Sequence, residues 1–302
     1  MLKKFRFLLA LLVPLFASAV EVETLNAKGE FVKIDVPANP KRVAVADLSV
    51  LDTMDALGLG DRVKGLTKAQ SVYYLEDYVK NKDIVNIGSV KEVDLEALMK
   101  SEPEIIFIGV RLAAEYDKLS KIAPVVQVGI DYKTSTFEGV KKNVKTIAKI
   151  FEVDVDVKFD EFEKRLKSIN EKATGKTAII AMVTSSNLNT LGNQKRCAMI
   201  GTDAGFTNLA SEAKTTHGND ASFELVLKLD PEYIFVLDRD TAIGAGGEKL
   251  AKEVMDNPII NKTKASQSDK IFYLNPSVWY LSEGGITAMD LMLKDLESAL
   301  ER

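Results

Sequence analysis

Two stretches of this chain, DLEALMKSEPEIIFIGVR (94–111) and SFELVLKLDPEYIFVLDR (222–239), align without a gap at an offset of 128 residues. The offset pairs Glu96 with Glu224, Pro103 with Pro231 and Arg111 with Arg239. Each copy predicts the same unit: a short helix, an acidic-Pro-Glu turn, a buried strand and an arginine just past the strand's carboxyl end. A unit used twice at long range implies two similar halves. In open α/β sheets ligands lie beyond the carboxyl ends of the strands, so facing halves would aim both arginines into one cleft.

The rest of the chain fits that plan. Short β-branched runs alternate with amphipathic stretches: RVAVAD (42–47), EIIFIGV (104–110) and VVQVGI (125–130) in the first half, TAIIAMV (177–183), YIFVLD (233–238) and KIFYLN (270–275) in the second. That alternation predicts βαβ units and mainly parallel sheets. Between the halves Phe159, Phe162, Leu166 and Ile169 follow helical spacing, so one amphipathic helix is expected to join two α/β lobes. The expected organisation is an N-terminal lobe over 20–154, a linking helix over 155–174 and a C-terminal lobe over 175–302.

The first nineteen residues read as a secretory signal. Lys3, Lys4 and Arg6 precede an apolar stretch, Phe7 to Phe16, too short to span a bilayer, and Ala17-Ser18-Ala19 forms a small-x-small cleavage site. No cysteine follows that site, so a lipid anchor there is not expected, and the periplasm is the expected compartment. Cys197 is the lone cysteine and can form no internal disulfide, which leaves a large core to hold the fold. The formal net charge is −4, with 44 acidic against 40 basic residues. Loss of the leader's three cations takes it to about −7, which argues against nucleic acid or anionic membrane as partners.

An enzyme is the main rival class for such a fold. The chain contains no G-x-S-x-G elbow, no G-x-x-x-x-G-K-[ST] loop and no G-x-G-x-x-G after the first strand, and the GAGG cluster (244–247) lacks the lysine-hydroxyl pair of a phosphate loop. His217, the sole histidine, lies in TTHGND (215–220), a run without apolar residues. Taken alone it reads as either a solvated loop residue or a ligand. Tyr280 in VWYLSEGG reads as either a packed rim aromatic or a ligand, and Arg196 in GNQKRCAMIG as either an exposed loop residue or a cleft cation.

The signal sequence, two α/β lobes, one linking helix and the duplicated acidic-Pro-Glu joint together resemble the helical-backbone (class III) substrate-binding proteins that serve ABC importers. KTTHGND, VLDRD and IFYLNPSVWYLSEGG are similar to the periplasmic ferric-catecholate binding proteins of the CeuE type. The resemblance implies two metal ligands, His217 and Tyr280, and three arginines around an anionic cargo, Arg111, Arg196 and Arg239. Trp279 is expected to face the same ligand. A one-residue change of register would exchange it with Tyr280. Glu96 and Glu224, one per lobe, are expected to dock to arginines of a permease dimer in the inner membrane, although both also suit the positive end of a helix dipole.

The implied chemistry is self-consistent. Ferric ion is a hard acceptor that takes phenolate oxygen readily and imidazole as a borderline donor. A bis-catecholate siderophore supplies four oxygens and leaves two positions, which His217 and Tyr280 would fill. A direct zinc or manganese receptor would gather several His with Asp or Glu, and this chain has one His. Guanidinium groups suit the anionic chelate because they remain charged and stack on aromatic rings. The expected protein is thus a monomeric receptor with no cofactor of its own and a tetradentate ferric catecholate as cargo. Haem or cobalamin binding on the same fold, or a small α/β hydrolase, are the alternatives left open.

Overall fold

The computed structural model describes residues 18–132, 135–213, 219–220, 222–245 and 249–301. The first half carries a five-stranded parallel sheet in the spatial order Val85–Asn86, Val63–Leu66, Val43–Ala46, Ile105–Gly109, Val125–Val128. The second carries Asn219–Asp220, Asn187–Thr190, Thr177–Thr184, Tyr233–Asp238 and Ile271–Tyr273, with Thr207–Asn208 beside Thr177–Thr184. The pairs around Thr177–Thr184 and Tyr233–Asp238 are parallel, and Asn187–Thr190 and Asn219–Asp220 add an antiparallel edge. The architecture is therefore mixed α/β with parallel central strands. An antiparallel hairpin, Ala19–Leu25 with Phe31–Pro37, precedes the first sheet.

Strand residues alternate between two apolar layers, as the pleat requires. Val43, Val45, Ile105 and Phe107 of the first sheet enter one large cluster with Ile180, Met182, Tyr233 and Phe235 of the second. Ala44, Ala46, Ile106 and Ile108 face a separate layer in the first half, and Ile179, Ala181, Ile234 and Val236 face another in the second. Both sheets are thus covered on both faces, the condition for parallel strands. The shared cluster spans both halves.

The helix Asp156–Ala173 lies between the two sheets in sequence. It buries Phe159, Phe162, Leu166 and Ile169, the four residues at helical spacing, in that shared cluster. Its opposite contact is polar. Arg165 makes a two-pronged bond to Glu297, Nε to Oε1 at 2.7 Å and Nη2 to Oε2 at 2.8 Å, and a third to Asp290 Oδ1 at 2.6 Å. These fasten it to the C-terminal helix Ile286–Leu300.

The duplicated unit is duplicated in detail. Asp94 caps the helix Leu95–Lys100 and Ser222 caps Phe223–Leu229, each with its side-chain oxygen. Glu102 and Asp230, equivalent at the 128 offset, both sit in the left-handed region, with φ of 47° and 44°. The glutamates after the two prolines do the same work: Glu104 accepts from Arg42 N at 3.1 Å, and Glu232 from Thr177 N at 2.8 Å. Each therefore pins the start of the neighbouring parallel strand.

Two carboxylates cross between the halves, and each bonds the first N–H groups of a helix in the other half. Asp52, on the helix Leu48–Ala56, accepts from Thr287 N at 2.7 Å and Ala288 N at 2.9 Å, at the start of the C-terminal helix. That helix has only Gly285 at its cap position and no capping side chain of its own. A Cβ at Gly285 would lie 2.3 Å from Asp52 Cγ, so the residue must be glycine for the carboxylate to reach the helix end. Reciprocally, Asp203 of the second half accepts from Thr136 N at 3.0 Å and from Phe137 N at 3.4 Å, at the start of Thr136–Phe151. The halves are thereby fixed to one another at two helix ends as well as through the shared core.

Candidate functional site

A cleft of about 910 Å3, counting space open to solvent, lies where the parallel strands of the first half end. Ala46, Gly109 and Val128, the last residues of three of those strands, form its floor. The second half closes it with Arg196, Tyr280, Leu281, Glu283 and Gly284. Arg111 follows the strand Ile105–Gly109 and lines the cleft as an exposed guanidinium that makes no ion pair among the described residues.

Tyr280 is the meeting point of two further arginines. It sits on the short helix Pro276–Leu281 and is 6% exposed. Arg196 lies over its ring face, 3.8 Å from guanidinium carbon to centroid. Arg196 Nη1 also donates to the backbone carbonyls of Trp279 (3.3 Å) and Tyr280, while its Nε is buried without a partner. Arg239 Nε donates to the Tyr280 hydroxyl at 3.3 Å, and its Nη1 to Asp240 at 3.1 Å. Two cations thus flank one phenol. Arg196 is held in place by Cys197, whose φ of 60° turns the loop sharply and whose N–H meets Glu283 Oε1 at 3.0 Å.

Two carboxylates also line the cleft, and the fold offsets both. Asp47 caps the helix Leu48–Ala56 through Ser49 N at 2.9 Å and Val50 N at 3.4 Å, so its charge faces the helix's positive end. Glu283 accepts from Tyr132 of the first half at 3.0 Å as well as from Cys197 N. Burial pushes its carboxyl up to about 7, against the opposing pull of Arg196, so much of its charge is withdrawn near neutral pH. Burial and the nearby Glu283 raise the Tyr132 phenol well above its ordinary value, which keeps it a hydrogen-bond donor.

The sequence-predicted residues separate into three groups. Arg111, Arg196, Arg239 and Tyr280 come together at or beside the cleft. Trp279 does not: it is 0% exposed, in the shared core, and its indole N–H donates to Asp295 at 2.8 Å. The expectation that its ring faces a ligand is corrected by that bond, because the helix Pro276–Leu281 turns successive side chains about 100° apart and Tyr280, not Trp279, lines the cleft. His217 lies outside the described residues. Glu96 and Glu224 are exposed in the first turns of their equivalent helices, away from the cleft lining, with exposed apolar neighbours Leu95, Met99 and Leu225.

Sequence reading missed Gln70, Asn143 and Tyr132 in the cleft wall and the cross-half caps Asp52 and Asp203. Tyr132 was within reach, since VVQVGI is followed by Asp131 and Tyr132 at a strand's carboxyl end, the same position that singled out Arg111.

A two-sheet α/β chain with an arginine-lined cleft at its strand ends has the form of a ligand receptor. The chain belongs to the periplasmic binding protein family, which it matches over residues 43–278. It is similar to the petrobactin-binding protein YclQ of Bacillus subtilis, 32% identical over the whole of both chains. The crystal structure of YclQ superposes with a TM-score of 0.86 over 94% of this chain and 99% of that one. The periplasmic catecholate-siderophore binding protein VctP of Vibrio cholerae, 26% identical, superposes with a TM-score of 0.84 over 92% of this chain and 100% of its own. The ferric-anguibactin-binding protein FatB of Vibrio anguillarum is 25% identical over 85% of this chain and 81% of its own.

Proposed function

We propose that this chain is a periplasmic receptor that binds an anionic ferric catecholate siderophore in the cleft and delivers it to the permease dimer of an inner-membrane ABC importer. The observation that carries the reading is a cleft lined by Arg111, Arg196 and Tyr280, with Arg239 bonded to the Tyr280 hydroxyl behind it. Relatives named for petrobactin, for ferric anguibactin and for catecholate siderophores support the same cargo class. Tyr280 supplies one iron ligand, and His217 is proposed as the other. The chelate brings the remaining donors, which is why a single histidine suffices.

In this reading residues 1–19 are a cleaved leader, and residues 20–154 and 175–302 act as two lobes across 155–174. Glu96 and Glu224 are the permease contacts, one on each lobe. The receptor works as a monomer, by binding without turnover. Arg111 attracts the chelate as an exposed cation, while Arg196 and Arg239 hold Tyr280 toward the metal and counter the chelate's charge.

Competition titration tests the proposal. Trp279, the one tryptophan, reports through fluorescence quenching. A ferric bis-catecholate should quench, give an intense visible charge-transfer band and resist displacement by a ferric hydroxamate or haemin. Preferential binding of haemin, or ester turnover without any such band, would overturn it.

A further inference from the structure

The cleft holds a carboxylate and a guanidinium that feel one another but do not pair. Glu283 is 6% exposed in the cleft wall, and the charge of Arg196 pulls on its carboxyl. Among the described residues Arg196 makes no ion pair, and its buried Nε has no partner. Opposite charges in a buried site, with a donor to spare, ordinarily close up. Here both are held elsewhere.

Both oxygens of Glu283 are occupied. Oε1 accepts from Cys197 N and Oε2 from the Tyr132 hydroxyl, each at 3.0 Å. The first bond ties the carboxyl to the loop that carries Arg196, and the second comes from the other half, just past the strand Val125–Val128. Arg196 is turned to the helix Pro276–Leu281, donating to the carbonyls of Trp279 and Tyr280 and lying over the Tyr280 ring. Two other carboxylates nearby are engaged as helix caps, Asp203 with Thr136 N and Phe137 N and Asp47 with Ser49 N and Val50 N. Glu283 is therefore the carboxylate to which Arg196 would turn.

The segment that carries Glu283 is seated on the first half at each of its neighbours. Ser282 Oγ lies 3.2 Å from the Tyr74 hydroxyl, and a Cβ at Gly284 or Gly285 would lie 3.0 Å from Ser49 Oγ or 2.3 Å from Asp52 Cγ. Tyr132 thus meets a carboxyl whose backbone is already fixed against its own half.

We propose that Tyr132 is a positioning residue: its hydroxyl occupies Glu283 and so leaves the Arg196 guanidinium over Tyr280, free to meet an anionic cargo. Without that hydroxyl Oε2 loses its donor, and Arg196 takes its place, because an unpaired buried carboxylate oxygen is costly. The inference rests on reading the cleft as a site for an anionic ferric chelate, and adds to it a residue that acts from the opposite half through Glu283.

Titration with a ferric bis-catecholate at about pH 8, above the value of about 7 at which Glu283 gains its charge, tests it. Tyr132→Phe should weaken binding about tenfold, the worth of one charge-assisted hydrogen bond. Adding Glu283→Gln should restore that tenfold, since an amide carries no charge with which to hold a guanidinium. A purely structural role for the two residues would instead add a second loss to the first. Unchanged affinity in Tyr132→Phe, or a double variant no tighter than the single one, overturns the proposal. Tyr132→Leu also removes the hydroxyl and serves if Tyr132→Phe folds poorly. Should wild type bind no ferric chelate, the cargo reading has failed, and the Arg196 Nε–H resonance, assigned by its loss in Arg196→Lys, decides the role of Tyr132 alone. A downfield move in Tyr132→Phe that Glu283→Gln undoes upholds it; a resonance that stays in place overturns it.

Discussion

Replacing Asp52 by Asn should change how the protein's stability depends on pH, because Asp52 is a carboxylate buried at the junction of the halves. Its folded-state pKa is raised from the ordinary 3.8 to about 6 by burial, although Tyr74 and the N–H groups of Thr287 and Ala288 pull the other way. The protonated form is therefore favoured by folding. Its contribution is fully present below about pH 4 and is lost as pH rises through about 6. A shift of roughly two units corresponds to about 3 kcal/mol. Asn fills the same space, can still accept from the helix end and carries no titrating proton. The stability of Asp52→Asn minus that of wild type should therefore rise by about 3 kcal/mol between pH 4 and pH 7.5. Urea unfolding at the two pH values, followed through Trp279 fluorescence, measures that difference directly. A difference that stays level with pH, or falls, would refute the view that this carboxylate is charged at a cost to hold the C-terminal helix.

Arg111→Ala and Arg239→Ala should each weaken ferric catecholate binding by about 1.5–3 kcal/mol whatever the chelate's denticity, as read by equilibrium titration. Tyr280→Phe should weaken a tetradentate ferric chelate far more than a hexadentate one, since only the former leaves positions open on the metal; equal losses would exclude direct coordination. Asp203→Ala should lower stability by about 1–2 kcal/mol through loss of the cross-half cap on Thr136–Phe151, measured by urea unfolding at pH 7.5.

The parts of the fold that repeat were legible because a gapless offset survives in the sequence. Glu102 and Asp230 make the same left-handed turn, a constraint on neighbours in sequence, and Glu104 and Glu232 the same strand-pinning bond, which the repeated unit carries although its partners lie 62 and 55 residues away. The strand and linking-helix patterns were visible for the same reason: burial imposes a local period. The cross-half bonds left no such trace. Asp52 meets Thr287 across 235 residues, and Tyr132 meets Glu283 across 151. The placing of Trp279 at the ligand beside Tyr280 has that origin too. Either ring suits the cleft by composition, and the choice is made by Asp295, which takes the indole N–H. Glu283 could be seen as an acidic oddity in an arginine-rich site, but only its burial explains how an anion site tolerates it.

A crystal structure of the protein with an Fe(III) tetradentate bis-catecholate tests the central claim most directly. The Tyr280 oxygen and an imidazole nitrogen of His217 should occupy the two iron positions the chelate leaves free, with Arg111, Arg196 and Arg239 around the catecholate oxygens. A structure with both side chains turned away from the metal would contradict it.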